Sequence, residues 1–289
     1  MAGETVRRMV LVAATALCFA YFLTRALEVE LSLRVNVVLK AFPVLLLAFV
    51  GLLADTERNT VQGVVFAHRI GVGIALGAFG DVALELGDQG FLPGLGFFLF
   101  GHVMFISAFT VDTAAGVTRR GGKSRLWMGR FLALAWLSIV TLIYSVLAPH
   151  LSENYKYPVI AYVVVLGQMV YRAAGRYMPA CGMESYYYGS VGAFVFAASD
   201  TLLAYNRFVE PVSHARYLVI LLYYIGQIGL ASASILPPKQ VQEAALEKAK
   251  AFVAPAKPAA TPAKPATTGA ASTKSLSKRS KKSAARRRK

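Results

Sequence analysis

Long apolar runs separated by short polar stretches dominate this chain. About 20 consecutive apolar residues cross a bilayer core as a helix. On that measure the pattern predicts eight transmembrane helices, near 9–28, 36–54, 63–86, 91–111, 127–148, 157–175, 187–206 and 215–236. Arg7 and Arg8 precede the first run as they would in a signal peptide. The run is longer than an ordinary apolar signal core, so a retained helix is expected. From Pro237 a short helical segment, Gln240 to Phe252, gives way to an Ala/Pro/Lys/Thr/Ser tract ending in Arg286-Arg287-Arg288-Lys289. Such a tract has too little apolar surface to build a core and is expected to be disordered. The expected class is an all-α polytopic membrane protein, with an eight-helix transmembrane domain over 1–236 and a disordered basic tail over 237–289.

Composition agrees: the 289 residues are 56% hydrophobic and 16% charged, far from the balance of a soluble domain. The net charge of +16 would suit a nucleic-acid binder, but it is unevenly placed. Residues 237–289 hold 14 Lys/Arg against 2 Asp/Glu, and the body holds 17 against 13. The basicity belongs to the tail, which is expected to touch anionic lipid headgroups rather than nucleic acid. Lys and Arg set the orientation of the spans. Arg7, Arg8, Arg58, Arg119, Arg120, Lys123, Arg125, Arg172, Arg176 and the tail fall on one side, and the opposite loops are sparse in cations. Both termini are therefore expected in the cytosol, and the dibasic pair Arg286-Arg287 points to the endoplasmic reticulum. Two cysteines, Cys18 and Cys181, make neither a disulfide framework nor a metal cluster.

Polar residues inside the apolar runs carry the chemistry. A charged side chain at mid-membrane costs about 2.5 kcal/mol or more, so ionisable residues there are functional candidates. Asp81 ends the third run and Asp200 lies in the seventh. Both follow a Gly-Ala-Phe triplet, Gly77 to Phe79 and Gly192 to Phe194. That echo makes a four-plus-four repeat a candidate. In the predicted topology Lys40, Tyr162, Asn206, Tyr223, Tyr224 and Gln227 share the non-cytosolic half with the two aspartates, and His102 lies nearer the middle. Facing inward, they would line one polar pocket. Glu85 and Asp88 sit at a span end and a loop, where solvation is expected. Gly73, Gly77 and Gly80 suit close helix packing. No G-x-S-x-G elbow, P-loop or H-E-x-x-H set is present, and the spacing of the four histidines supports no metal site. These residues alone leave a hydrolase and a proton-coupled transporter or lipid-binding protein equally open. Broken helices would favour transport, and Pro43 is the one interior proline that hints at a break.

A set of short motifs runs in order along residues 36–236: Lys40-Ala-Phe-Pro43-Val-Leu, Gly80-Asp81, Phe97 through Gly101-His102 to Ala108-Phe109, and Pro158-Val-Ile-Ala-Tyr162 with Met169 and Arg172. It continues with Gly192-Ala-Phe, Ser199-Asp200, Asn206-Arg207-Phe208, Pro211, His214, Arg216, and Tyr223-Tyr224 with Gln227. In these the chain resembles the YhhN-type lysoplasmalogenase family, and more closely its animal transmembrane members. Phe105 departs from the pattern, since relatives often carry Tyr there. The first span and the tail carry no resemblance. The resemblance implies an eight-helix membrane hydrolase that opens the vinyl-ether bond of lysoplasmalogens. The products would be a fatty aldehyde and glycerophosphocholine or glycerophosphoethanolamine, and Asp81 and Asp200 would be the functional aspartates.

The chemistry fits those residue types. A vinyl ether hydrolyses by proton transfer to the carbon beta to oxygen, and water then adds to the oxocarbenium ion. Glycosidases meet a related cation with two carboxyl groups. Two aspartates in one low-dielectric pocket do not ionise together easily, which supplies an acid and a base from one residue type. Asp200 is the expected acid. Lys40 and Arg207 are expected to hold the phosphate. His102, Tyr162, Tyr223 and Tyr224 are expected to position water or the glycerol hydroxyl, with Asn206 and Gln227 beside them. No cofactor or metal is required.

Overall fold

The structure, a computed structural model, describes residues 2–57, 59–111, 123–176 and 181–235 together with 240, 243, 244 and 247, giving the backbone alone for 2 and 123–129. The described residues form eight long helices and no strand: α1 (Ala2–Ala26), α2 (Leu33–Leu52), α3 (Val61–Leu84), α4 (Asp88–Phe109), α5 (Lys123–Leu147), α6 (Glu153–Ala174), α7 (Met183–Phe208) and α8 (Ala215–Ala233). Each overlaps one run expected from the sequence, most of them ending one to three residues earlier. All but α7 are long and apolar enough to cross a membrane. The expected seventh span falls in α7, whose 26 residues are long enough to cross. Its start, Ser185-Tyr186-Tyr187-Tyr188, and its end, with Ser199-Asp200 and Asn206-Arg207, are too polar to match the others in apolarity. Large apolar side chains such as Val12, Phe42, Phe100, Leu142 and Phe194 lie exposed around the bundle, as lipid-facing residues do. The protein is a multi-pass integral membrane protein.

Several expectations fall outside the described residues. They are the disorder of the tail, apart from Gln240, Glu243, Ala244 and Glu247, which are helical, and the side chains of Arg58, Arg119, Arg120, Lys123 and Arg125. Pro43 lies inside α2 without ending it, and Pro93 and Pro158 lie in the early turns of α4 and α6.

Small residues set the helix spacing. A side chain on Gly73 would meet the Phe105 ring at 2.4 Å, and one on Gly80 would meet the Phe98 ring at 2.7 Å, so α3 and α4 close on each other over glycine. A side chain on Gly192 of α7 would meet the backbone of Leu230 and Gly226 in α8 at 2.9–3.0 Å. Packing replaces hydrophobic burial as the force between helices in lipid, and close approach strengthens it. The interior between these helices is filled by Leu47, Ile70, Ile74, Phe105, Phe109, Met169, Phe196 and Leu230.

One end of the bundle is tied by arginines. The last carbonyls of a helix have no partner within it. Arg7, 4% exposed, donates Nε to the Val50 carbonyl of α2 at 2.7 Å and Nη2 to the Ser234 carbonyl at the end of α8 at 2.6 Å. Arg69 donates to the Ser107 carbonyl of α4 at 2.8 Å. Arg176 donates to the Ser185 carbonyl of α7 at 2.8 Å, and the Ser185 hydroxyl donates to the Ala233 carbonyl of α8. Arg7, which by sequence counts only among the cations that orient the spans, is buried and joins three helices. Its neighbour Arg8 is exposed and pairs with Glu4. Arg7→Ala should cost about 2–3 kcal/mol, because it leaves buried carbonyls unpaired, and Arg8→Ala about 0.5 kcal/mol or less. Thermal melting of both variants in detergent checks the contrast.

Candidate functional site

Asp200 lies within α7 and is 9% exposed. The turn that carries it is fixed from beside it, since the Ser199 hydroxyl donates to the Val219 carbonyl of α8 at 2.9 Å. Tyr162 of α6 donates its hydroxyl to Asp200 Oδ2. His102 of α4 brings Nε2 to 3.6 Å from the same oxygen. His102 Nδ1 meets the Phe98 carbonyl. A carbonyl only accepts, so Nδ1 carries the hydrogen, and in a neutral ring Nε2 is left as an acceptor. His102 is 1% exposed, and Nε2 has no hydrogen-bond partner among the described residues. Three helices thus converge on one carboxyl group, and no Lys or Arg among the described residues pairs with it.

Asp81 has different company. It is 3% exposed, accepts from the Tyr223 hydroxyl of α8 at 2.6 Å, and lies 3.6 Å from Lys40 Nζ of α2. Lys40 is held more tightly by Glu85 at 2.8 Å. The other Glu85 oxygen accepts from Asn36 Nδ2 at 2.6 Å, and Asn36 Oδ1 accepts from the Tyr21 hydroxyl of α1 at 2.9 Å. The network follows from helical spacing: Asn36 and Lys40 stand four apart on α2, and Asp81 and Glu85 stand four apart at the end of α3, so each pair shares a face. Solvation is the expectation for Glu85. The structure corrects this, because its two oxygens are taken by Lys40 and Asn36. Tyr224 donates to the Lys40 carbonyl at 3.2 Å. Gln227 is fully buried beside Gly77, and neither of its side-chain polar atoms has a hydrogen-bond partner among the described residues.

The two carboxyl groups therefore occupy adjoining clusters with separate hydrogen-bond partners. Aromatic rings join the clusters: Tyr223 lies 6.0 Å from Phe98 and 5.4 Å from Phe196, and Phe196 lies 5.0 Å from His102.

Three cavities adjoin this centre. A polar vestibule of about 540 Å³ is lined by Lys40, Glu85, Asn206, Arg207 and others. A narrow apolar slot of about 40 Å³ carries Asp200 and Tyr162 in its wall, and shares Leu84, Phe91 and Leu203 with the vestibule. An apolar groove of about 580 Å³ runs between α5, α6 and α7, and shares Ile143, Val163, Leu166 and Thr201 with the slot. Of the expected binding residues, Asn206 accepts from the Val212 backbone N–H at 2.9 Å. Arg207 pairs with Asp88 at 2.9 Å and stacks on Phe91. Tyr21, Asn36 and Glu85 are the network members that the sequence reading misses. The four-residue spacing is the signal for Asn36 and Glu85; Tyr21 lies in a first helix that carries no motif.

Comparison with known proteins gives a consistent result. The model of the YhhN family matches residues 35–234. Human lysoplasmalogenase TMEM86A is 34% identical over 194 residues, covering 65% of this chain and 75% of its own. Pig (Sus scrofa) lysoplasmalogenase TMEM86B is 27% identical over 223 residues, covering 77% and 84%. A lysoplasmalogenase of Mycobacterium tuberculosis is 32% identical over 139 residues, covering 47% and 48%. No solved structure gives a significant match. With 200 consecutive residues under the family model and relatives of this similarity, the chain belongs to the YhhN family.

Proposed function

We propose that the protein is an integral-membrane lysoplasmalogenase, hydrolysing the vinyl ether of a 1-alkenyl lysophospholipid to a fatty aldehyde and a glycerophospho-alcohol. The relatives' names give the reaction class. The observation that carries the mechanism is the placement of Asp200, in the wall of an apolar slot that adjoins a polar vestibule. A single-chain lipid with a large polar head has the same division, and its vinyl ether lies at the boundary.

Asp200 donates its proton to the alkenyl carbon beta to the ether oxygen. The Tyr162 hydroxyl fixes the orientation of the carboxyl group, and His102 Nε2 stands 3.6 Å from it. A buried charge needs a partner, and Asp200 has no lysine or arginine among the described residues, so a neutral acid suits its surroundings. Asp81, beside the Lys40 ammonium, is the ionised member and steadies the oxocarbenium ion through space. Water then adds to the cationic carbon, and its released proton returns to the Asp200 carboxylate. The hemiacetal that results transfers its hydroxyl proton to the departing oxygen, leaving aldehyde and alcohol. One water is consumed and the enzyme is restored. Asp81 and Asp200 lie within unbroken helices, which leaves the transporter reading without the broken helix that would favour it.

The test is aldehyde release from a lysoplasmenyl lipid by purified protein in detergent. Asp200→Asn and Asp81→Asn should each lose about 100-fold or more in kcat with melting retained, the scale of positioned proton transfer. Full activity in either folded variant removes that residue from the mechanism. Tyr162→Phe should lower kcat about tenfold, as one hydrogen bond to the acid is lost, and a kcat equal to the parent's would count against its orienting role.

The reading also places both termini in the cytosol and the vestibule at the opposite, lumenal face of the endoplasmic reticulum. A glycosylation sequon inserted at 28–31 should be modified in microsomes, and one placed before α1 should not.

A further inference from the structure

The vestibule holds more cations than the two aspartate clusters use. Lys40, Arg25, Arg207 and Arg216 line it, against Glu85 and Asp88. Lys40 is taken by Glu85 at 2.8 Å, and Arg207 by Asp88 at 2.9 Å. The side chains of Arg25 and Arg216 make no hydrogen bond or ion pair to a described residue. The two come from opposite ends of the sequence, the last turn of α1 and the first of α8. The structure brings them to the wall of one cavity, and Tyr217, next to Arg216, donates its hydroxyl to Glu28 at 2.9 Å. Arg25 also lies outside the segment matched by the family model.

Arg25 is half-buried and Arg216 exposed, and with no direct carboxylate partner both leave their donors open to an anion that enters the cavity. A guanidinium presents paired N–H donors that match phosphate oxygens. We propose that the vestibule is a headgroup subsite in which Arg25 and Arg216 hold the phosphodiester of the lysophospholipid. This reassigns the phosphate from Lys40 and Arg207, whose charges are already met by Glu85 and Asp88. It rests on the hydrolase reading for the identity of the lipid. The chain then enters the apolar slot, and the glycerol spans the shared wall of Leu84, Phe91 and Leu203.

The experiment compares two substrates, a lysoplasmenyl-phosphocholine and a 1-alkenylglycerol without phosphate, in the parent, Arg25→Gln, Arg216→Gln and the double variant. Neither arginine side chain bonds to a described residue, so the variants should fold. The ratio of kcat/KM for the phospholipid to that for the alkenylglycerol should fall about tenfold per arginine, the scale of a charge-assisted hydrogen bond. An unchanged ratio in the double variant overturns the subsite while leaving the hydrolase intact. A second readout does not depend on turnover: sn-glycero-3-phosphocholine should raise the melting temperature of the parent and not of the double variant. If the parent releases no aldehyde but shows that lost stabilisation, the subsite stands and the hydrolase reading fails. If the parent shows neither, both fall.

Discussion

Lys40 carries a positive charge into the interior of a helix bundle, and two carboxylates of α3 and its C-terminal cap meet it there. Glu85 binds it directly at 2.8 Å and Asp81 stands at 3.6 Å. An ion without a partner in such surroundings costs several kcal/mol, and removing one member of a buried pair costs about 3–5 kcal/mol. The relative placement of α2 and α3 is constrained by this demand. Tyr223 reaches Asp81 from α8, and Tyr21 reaches the same network from α1 through Asn36. Four helices are thereby registered against one another by polar contacts, which lipid cannot supply.

Glycine makes those contacts reachable. Gly73 and Gly80 let α4 approach α3, and Gly77 leaves room for Gln227 and the Tyr223 hydroxyl. The aromatic side chains that fill the space, Phe98 and Phe196, stand between the two aspartate clusters. The same packing that brings the carboxyl groups into one region thus keeps their hydrogen-bond partners apart, so the two differ in company rather than in residue type.

Much of this is legible in the sequence. Apolar run length marks each helix, because the bilayer imposes a minimum on it, and Asp81 and Asp200 stand out because charge is rare there. Depth along each helix gathers Lys40, Tyr162, Tyr223 and Gln227 into one half. Pairing is less legible. Glu85 looks solvated from its place at a span end, yet its spacing from Asp81 puts it on the Lys40 face. The bonds of Arg7 are not legible because hydropathy registers neighbours in sequence, while its partners Val50 and Ser234 are remote in sequence. The division of the aspartates between clusters depends on which side each helix turns inward, and that is decided by Gly–Phe packing across helices.

The unequal company of the two carboxyl groups bears on the chemistry. A vinyl ether needs a proton delivered to carbon and a negative potential once the cation has formed; it does not need a strong nucleophile. A carboxyl group beside a lysine ammonium is matched as an anion, and one with no cation beside it and a histidine acceptor nearby is better matched as a neutral acid. The cation that holds Asp81 therefore stabilises the helix pair that carries it and, in the mechanism proposed above, leaves the acid's role to Asp200. A fold whose stability requires Lys40 next to one aspartate has, by that requirement, made the two aspartates inequivalent before any substrate binds.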